Sequence, residues 1–193
     1  GKSDPSEVLL CSVPGQEDFE GRTLQSFVEQ FDLPGEEAAN KLLKHYSDSI
    51  LVAAFGMDEG DVRIVMSHPS TMIGTDGLDR GSKPHPRAWG TYPRVLGKYV
   101  REEGVISLEN AISKMTMMPA RKFDIANRGL IKEGYYADIV LFDPTTVVDC
   151  ATYENPRVGP KGIPYVIVNG AFAVKESKQL SSRTGRALRK GQI

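Results

Sequence analysis

The chain has 193 residues, 40% of them apolar, with 24 basic and 25 acidic side chains and a net charge of −1. That is enough apolar material for one ordinary domain or two small ones, and the charge balance argues against a nucleic-acid or membrane-surface partner. No apolar stretch is long enough to span a bilayer and no signal-peptide pattern opens the chain, while Cys11 and Cys150, far apart, read as two reduced thiols in a cytoplasmic protein.

Gly1-Lys2-Ser3-Asp4-Pro5 has neither an initiator methionine nor a targeting pattern and reads as a cut in a longer chain. Residues 7–13, EVLLCSV, are a β-rich run closed by Pro14-Gly15 and predict a strand. TLQSFVEQFDL and GEEAANKLLKHYS predict two helices broken at Pro34-Gly35; in the second, Ala38, Leu42, Leu43 and Tyr46 share a face. Residues 49–56, SILVAAFG, are a continuous apolar run that suits a strand buried on both faces of a parallel sheet. DEGDVRIVMSH predicts a short helix capped by Asp58, and TMIGTDG a second short strand. RVLGKYVREEG and SLENAISKMTMMPARKFD predict further helices, the latter with Ser107 as N-cap and Leu108, Ala111, Ile112 and Met115 along one face. Strand, helix, strand, helix in this order predicts a parallel α/β layer.

Beyond about residue 128 the texture changes. GYYADIVLFDP predicts a strand ended by a proline, and PYVIVNGAFAV a hairpin turning at Asn169-Gly170, so this end predicts a small antiparallel unit. The closing SSRTGRALRKGQI is basic and polar and reads as an arm or frayed tail, a solvated terminus rather than a site for an anionic partner.

Two residues stand out for chemistry. Asp76 follows an apolar run between Gly74 and Gly77, and groups at the carboxyl ends of parallel strands face the ligand crevice of α/β proteins; capping of the next segment or an Asx turn fits it equally well. Arg87 closes Pro84-His85-Pro86-Arg87, where prolines stiffen the loop; a guanidinium so held suits a carboxylate, or a structural salt bridge. The three histidines, His45, His68 and His85, lack metal-binding spacing: His45 reads as a surface residue, His68 as a helix end, and His85 as orienting the loop. GTDGLDRG lacks the lysine and spacing of a phosphate loop, and neither cysteine has the surroundings of a nucleophile.

HPSTMIGTDGL, HPRAWGTYPRVLGKYVRE, AISKMTMMPARKF, RGLIKEGYYADIVLFDPTTV and YVIVNG together resemble the N-acyl-D-amino-acid deacylases (D-aminoacylases) of the amidohydrolase superfamily. The resemblance runs from about EGRTLQSFV to the end; the ADIVLFD segment is common across the superfamily, whereas the HPR run points to the deacylase branch. It implies an α/β fold, the C-terminal part of a (β/α)8 barrel plus a small antiparallel β-sandwich segment. On that map residues 1–48 belong to an inserted subdomain, 49–125 to the last barrel strands and helices, and 126–193 to the sandwich segment and tail. It also implies a zinc-dependent hydrolase that converts an N-acyl-D-amino acid to a carboxylate and a free D-amino acid. Asp76 matches the family's general base on the metal-bound water, and is the one residue here that could also touch the metal; Arg87 matches the arginine that holds the substrate's free carboxylate.

The family's His-x-His, its bridging cysteine and its later barrel histidines have no counterpart here, and a complete barrel needs roughly 250 residues. The expectation is therefore a C-terminal portion, inactive alone, whose open strand edges favour self-association. The alternatives are a non-catalytic remnant or partner-pairing module, and an amidohydrolase acting on another amide.

Overall fold

In this computed structural model, which describes residues 4–46 and 49–189, the chain divides into two units. Ser47, the last residue of the expected second helix, and the end of the tail (190–193) lie outside the described residues. The first unit takes the described residues of Gly1–Glu59 with Asp76–Trp89 and Ala151–Val158; the second takes Gly60–Thr75, Gly90–Cys150 and those of Gly159–Ile193.

In the first unit, strand β1 (Val8–Ser12) pairs with β2 (Leu51–Ala54), antiparallel, with Leu9 opposite Ala53 and a bulge between Leu10 and Ser12. The other edge of β1 is already occupied: the Leu10 N–H donates to Arg22 O at 2.9 Å and the Gly21 N–H to Leu10 O at 2.7 Å. The expected parallel strand buried on both faces is thus corrected. Residues 51–54 alternate instead, with Ala53 buried and Val52 52% exposed, because the ladder partner is antiparallel β1. Helices α1 (Leu24–Phe31) and α2 (Gly35–Tyr46) close a core of Leu10, Val13, Phe19, Phe27, Ala38 and Leu42. The break between them sits at Asp32, in the left-handed region (φ 48°); Pro34 instead accepts the first bond of α2 from Ala38 N–H. Ala38 and Leu42, one turn apart, are buried, and Tyr46 packs beside the core, but Leu43 lies about 100° round the helix from Leu42 and is 56% exposed.

In the second unit, helix α3 (Glu59–Ser67), helix α5 (Leu108–Met115) and a π-helical stretch (Val95–Glu102) surround a core of Met66, Val95, Leu96, Tyr99, Ile106, Ala111 and Val147. Helix α4 (Arg87–Arg94) leads into that stretch through Pro93, which lacks an N–H, and the backbone continues in wider turns. Leu108, Ala111, Ile112 and Met115 all meet the core as their spacing predicts, and the Ser107 hydroxyl accepts from Asn110 N–H as the N-cap. The single helix expected after Ser107 is split. Thr116 leaves helical geometry (φ −130°, ψ −83°) and α6 (Met117–Lys122) starts anew, with Pro119 in its first turn, where no donor is needed.

The expected second strand, TMIGTDG, forms no ladder. The Ile73 N–H donates to the carbonyl of Lys114 at 3.1 Å, so a helix end takes the donor that a neighbouring strand would have used. Among the described residues every strand pair is antiparallel. The C-terminal sheet is antiparallel as predicted, with one strand, β6, beyond the prediction. β3 (Ile139–Leu141), β4 (Tyr165–Val168), β5 (Ala171–Lys175) and β6 (Lys178–Gln179) lie in sequence order, with Asn169 and Gly170 both left-handed at the hairpin. Residues 181–189 have no regular structure but are tied down: Asn169 Nδ2 donates to Thr184 O at 2.6 Å, and Arg186 lies over the Tyr136 ring. No helix among the described residues is long and apolar enough to cross a membrane.

Two leucines test this packing. Leu10→Ala should cost about 2–5 kcal/mol in urea unfolding. Leu43→Ala should stay within about 0.5 kcal/mol. Equal losses would mean that α2 packs through a different face.

Candidate active site

The two residues singled out by the sequence meet in the first unit. Asp76 takes the left-handed conformation (φ 45°), one that aspartate adopts more readily than most residues. Gly77 then runs so close to Ala88 that an added Cβ would lie 2.7 Å from the Ala88 Cα. This approach of main chain to main chain brings the carboxylate to the residue before Ala88. Arg87 Nη2 lies 2.8 Å from Asp76 Oδ2, with the two side chains 42% and 89% exposed. So solvated an ion pair contributes at most about 1 kcal/mol, so the pair follows from the backbone rather than holding it.

Arg87 is the first residue of α4. Its N–H belongs to the helix end, where donors lack intrahelical acceptors, and His85 supplies one: Nδ1 accepts it at 3.1 Å. The other ring nitrogen, Nε2, lies 3.0 Å from the Tyr153 hydroxyl, and the two rings meet edge to face at 5.1 Å. Burial lowers the His85 pKa, the Arg87 cation lowers it further and Asp76 partly opposes both. The ring is therefore read as neutral, with its lone pair on Nδ1 and its proton on Nε2, donated to Tyr153.

The intervening loop is anchored at several points. Gly81 (φ 77°) passes so near β1 that a Cβ would fall 2.5 Å from Ser12 Cβ. Arg157 donates to Asp79 Oδ1 through Nε (3.0 Å) and Nη2 (2.7 Å), and to the carbonyls of Gly81 and Ser82. Glu20 accepts from Ser82 N–H at 2.6 Å and Val13 N–H at 2.8 Å; burial raises its pKa, but the hydrogen bonds from Ser82, Val13 and Ser12 outweigh it and leave the carboxyl below its usual range. Lys83 donates to Glu154 O, and Pro84 is fully buried.

The expected residues thus sit together, though Asp76 stands in an irregular turn, not at a strand end, and Arg87 opens a helix. Tyr153, Arg157 and Glu20 escaped the sequence reading; their contacts to His85, Asp79 and Ser82 in the loop span 62 to 78 positions, and no local spacing marks them. His45 is exposed on α2 and His68 follows α3, as expected. Both cysteines are free, and burial, the largest effect on Cys11, raises its thiol pKa, which disfavours a nucleophile. Among the described residues no group of three or more His, Cys, Asp or Glu is gathered as a metal ion would need.

A family profile described as the amidohydrolase family matches residues 50–174, and the chain belongs to that family. A D-aminoacylase of Alcaligenes xylosoxydans xylosoxydans is 48% identical over 134 residues, which are 69% of this chain and 28% of that protein. A solved D-aminoacylase, described through the functional role of its binuclear metal center, superposes with a TM-score of 0.88 at 39% identity, over 95% of this chain and 38% of the other. An N-acyl-D-glutamate deacylase from Bordetella bronchiseptica, complexed with zinc and a phosphonate mimic of the tetrahedral intermediate, superposes at 0.82 with 35% identity, over 97% and 37%. The resemblance to N-acyl-D-amino-acid deacylases is thus found in sequence and in structure, and the chain spans 28% to 38% of the length of these relatives.

Gly77→Ala forces a methyl against Ala88 and should cost about 1–3 kcal/mol in chemical unfolding. Gly74→Ala, with no atom within 4 Å, should stay within about 1 kcal/mol of the parent or stabilise it. After dialysis of this chain, elemental analysis should find no stoichiometric zinc; one tightly held zinc per chain would reveal ligands that the described arrangement does not group.

Proposed function

We propose that this chain is the C-terminal part of a zinc-dependent amidohydrolase that hydrolyses N-acyl-D-amino acids to a carboxylate and a free D-amino acid. The observation that carries the reading is Arg87 already gripping a carboxylate, that of Asp76, at 2.8 Å in solvent reach. A substrate carboxylate would present the same chemistry to the same guanidinium. Asp76 would then act on the amide: it accepts a proton from the attacking water as the water oxygen bonds to the carbonyl carbon, and gives it to the nitrogen as the C–N bond breaks. Family membership and the deacylase relatives support this substrate class.

Zinc is carried over from the Bordetella bronchiseptica structure. Its main ligands would lie in other parts of the protein, with Asp76 the one residue here that could also reach it. We assign residues 1–48 to an inserted subdomain, 49–125 to the last strands and helices of a (β/α)8 barrel and 126–193 to a β-sandwich segment and tail. The two free cysteines support a cytoplasmic location. Lack of a metal-binding group among the described residues favours a second reading, a non-catalytic module that pairs with another chain.

The two roles separate in kinetics on the protein expressed from its complete gene. Asp76→Asn keeps the shape but removes the base, so kcat should fall about 10²–10⁴-fold. Arg87→Lys loses the planar fork and should raise KM for substrates with a free α-carboxylate, with a smaller penalty on the carboxyl-blocked analogue. Equal harm to both substrates would make Arg87 a structural residue; near-normal turnover of Asp76→Asn would remove it as the base.

A further inference from the structure

We propose that Tyr153 and His85 are positioning residues for Arg87: the tyrosine holds the imidazole so that Nδ1 faces the Arg87 N–H, and this fixes where the guanidinium is presented to a carboxylate. The proposal rests on the reading of Arg87 as the substrate's carboxylate clamp.

The geometry is a relay of two hydrogen bonds, 3.0 Å from Tyr153 Oη to Nε2 and 3.1 Å from Nδ1 to the Arg87 nitrogen. A ring nitrogen that accepts from an N–H carries no proton, so the imidazole proton must sit on Nε2, where Tyr153 receives it. Without that acceptor the ring loses the bond that selects its tautomer. A ring with the proton on Nδ1 would face the Arg87 donor with another donor.

The surroundings narrow the freedom further. His85 lies between two prolines: Pro84, fully buried, and Pro86, whose ring restricts the residue before it. Tyr153 is itself packed edge to face on Phe55, with ring centroids 4.9 Å apart. The imidazole thus has a fixed base, and one of its nitrogens sets the first turn of the helix from which Arg87 projects. An ordinary helix cap would need only the Nδ1 contact. The second bond, from a residue 68 positions away, is what makes the ring a rigid mount.

The test compares three substitutions in the protein expressed from its complete gene, with an N-acyl-D-amino acid and its α-carboxamide as substrates. Tyr153→Phe keeps the ring packing and loses only the hydroxyl. His85→Gln can still reach Tyr153 but withdraws the acceptor from Arg87. His85→Asn places an amide oxygen near the Nδ1 position. Loss of one hydrogen bond predicts that Tyr153→Phe lowers the preference for the free acid over the carboxamide, in kcat/KM, about 2- to 10-fold, through KM. His85→Gln should lower it at least as far, and His85→Asn should recover part of the loss. Nitrogen NMR of histidine-labelled chain should show His85 protonated on Nε2 and bare on Nδ1.

A protonated Nδ1, or unchanged preference in both Tyr153→Phe and His85→Gln while Arg87→Lys abolishes it, overturns the positioning role and leaves the clamp standing. If Arg87→Lys also leaves the preference unchanged, the clamp itself fails and takes this proposal with it.

Discussion

The candidate site depends on one steric constraint, the passage of Gly77 over Ala88. Any side chain at residue 77 would enter the backbone of α4, so the position of Asp76 relative to Arg87 is set by main-chain contact. The exposed ion pair could not do this. Its strength, about 1 kcal/mol at most, is comparable to the entropy lost in ordering two side chains. Rigidity comes instead from contacts deeper in the first unit: Gly81 against β1, Arg157 spanning Asp79 to Ser82, and Glu20 holding Ser82 and Val13 together. Weak, solvated groups carried on a strongly determined backbone can exchange their partners without loss of the fold.

Lys114 in the second unit shows the opposite use of charge. It is 4% exposed, and its ammonium donates to the carbonyls of His68 and Thr71 and to the Thr71 hydroxyl. A buried ammonium without partners would be strongly unfavourable, but here three acceptors meet its three donors. It also sits just past the C-terminal end of α3, where a cation complements the helix dipole. So placed, Lys114 fixes the segment 68–71, and its own carbonyl receives the Ile73 N–H.

What was legible in the sequence was local. The β1 run, the core stripe of Leu108, Ala111, Ile112 and Met115, the Ser107 cap and the Asn169-Gly170 turn are all set by residues within a few positions of one another. What was not legible required knowing a distant partner. Residues 49–56 look like a doubly buried strand until β1 takes one side of the ladder, and 71–77 look like a strand until a helix carbonyl claims the Ile73 donor. The β6 turn was missed for a different reason: Glu176 and Ser177 both adopt left-handed conformations that their residue types rarely announce. Within the site, Asp76 and Arg87 were visible through their glycine and proline neighbours. Tyr153 and Arg157 come from a segment near residue 155 whose sequence carries no chemical signature of its own.

The placement of Arg87 bears on what the site is for. A cation in the first turn of a helix opposes the dipole by roughly 0.3–1 kcal/mol, and acidic residues are the usual occupants there. α4 has no acidic residue in its first turn, and the nearby carboxylate comes from Asp76, across the loop. A chain selected for helix stability alone would place an aspartate or glutamate in the helix and dispense with both Arg87 and the left-handed turn at Asp76. The arrangement instead keeps a guanidinium at a positive helix end, where its own charge and the dipole add. That sum disfavours the free site slightly and favours whatever anion arrives. Arg87 is exposed enough to meet that anion in solvent, and the His85–Tyr153 mount limits the range of positions from which it does so.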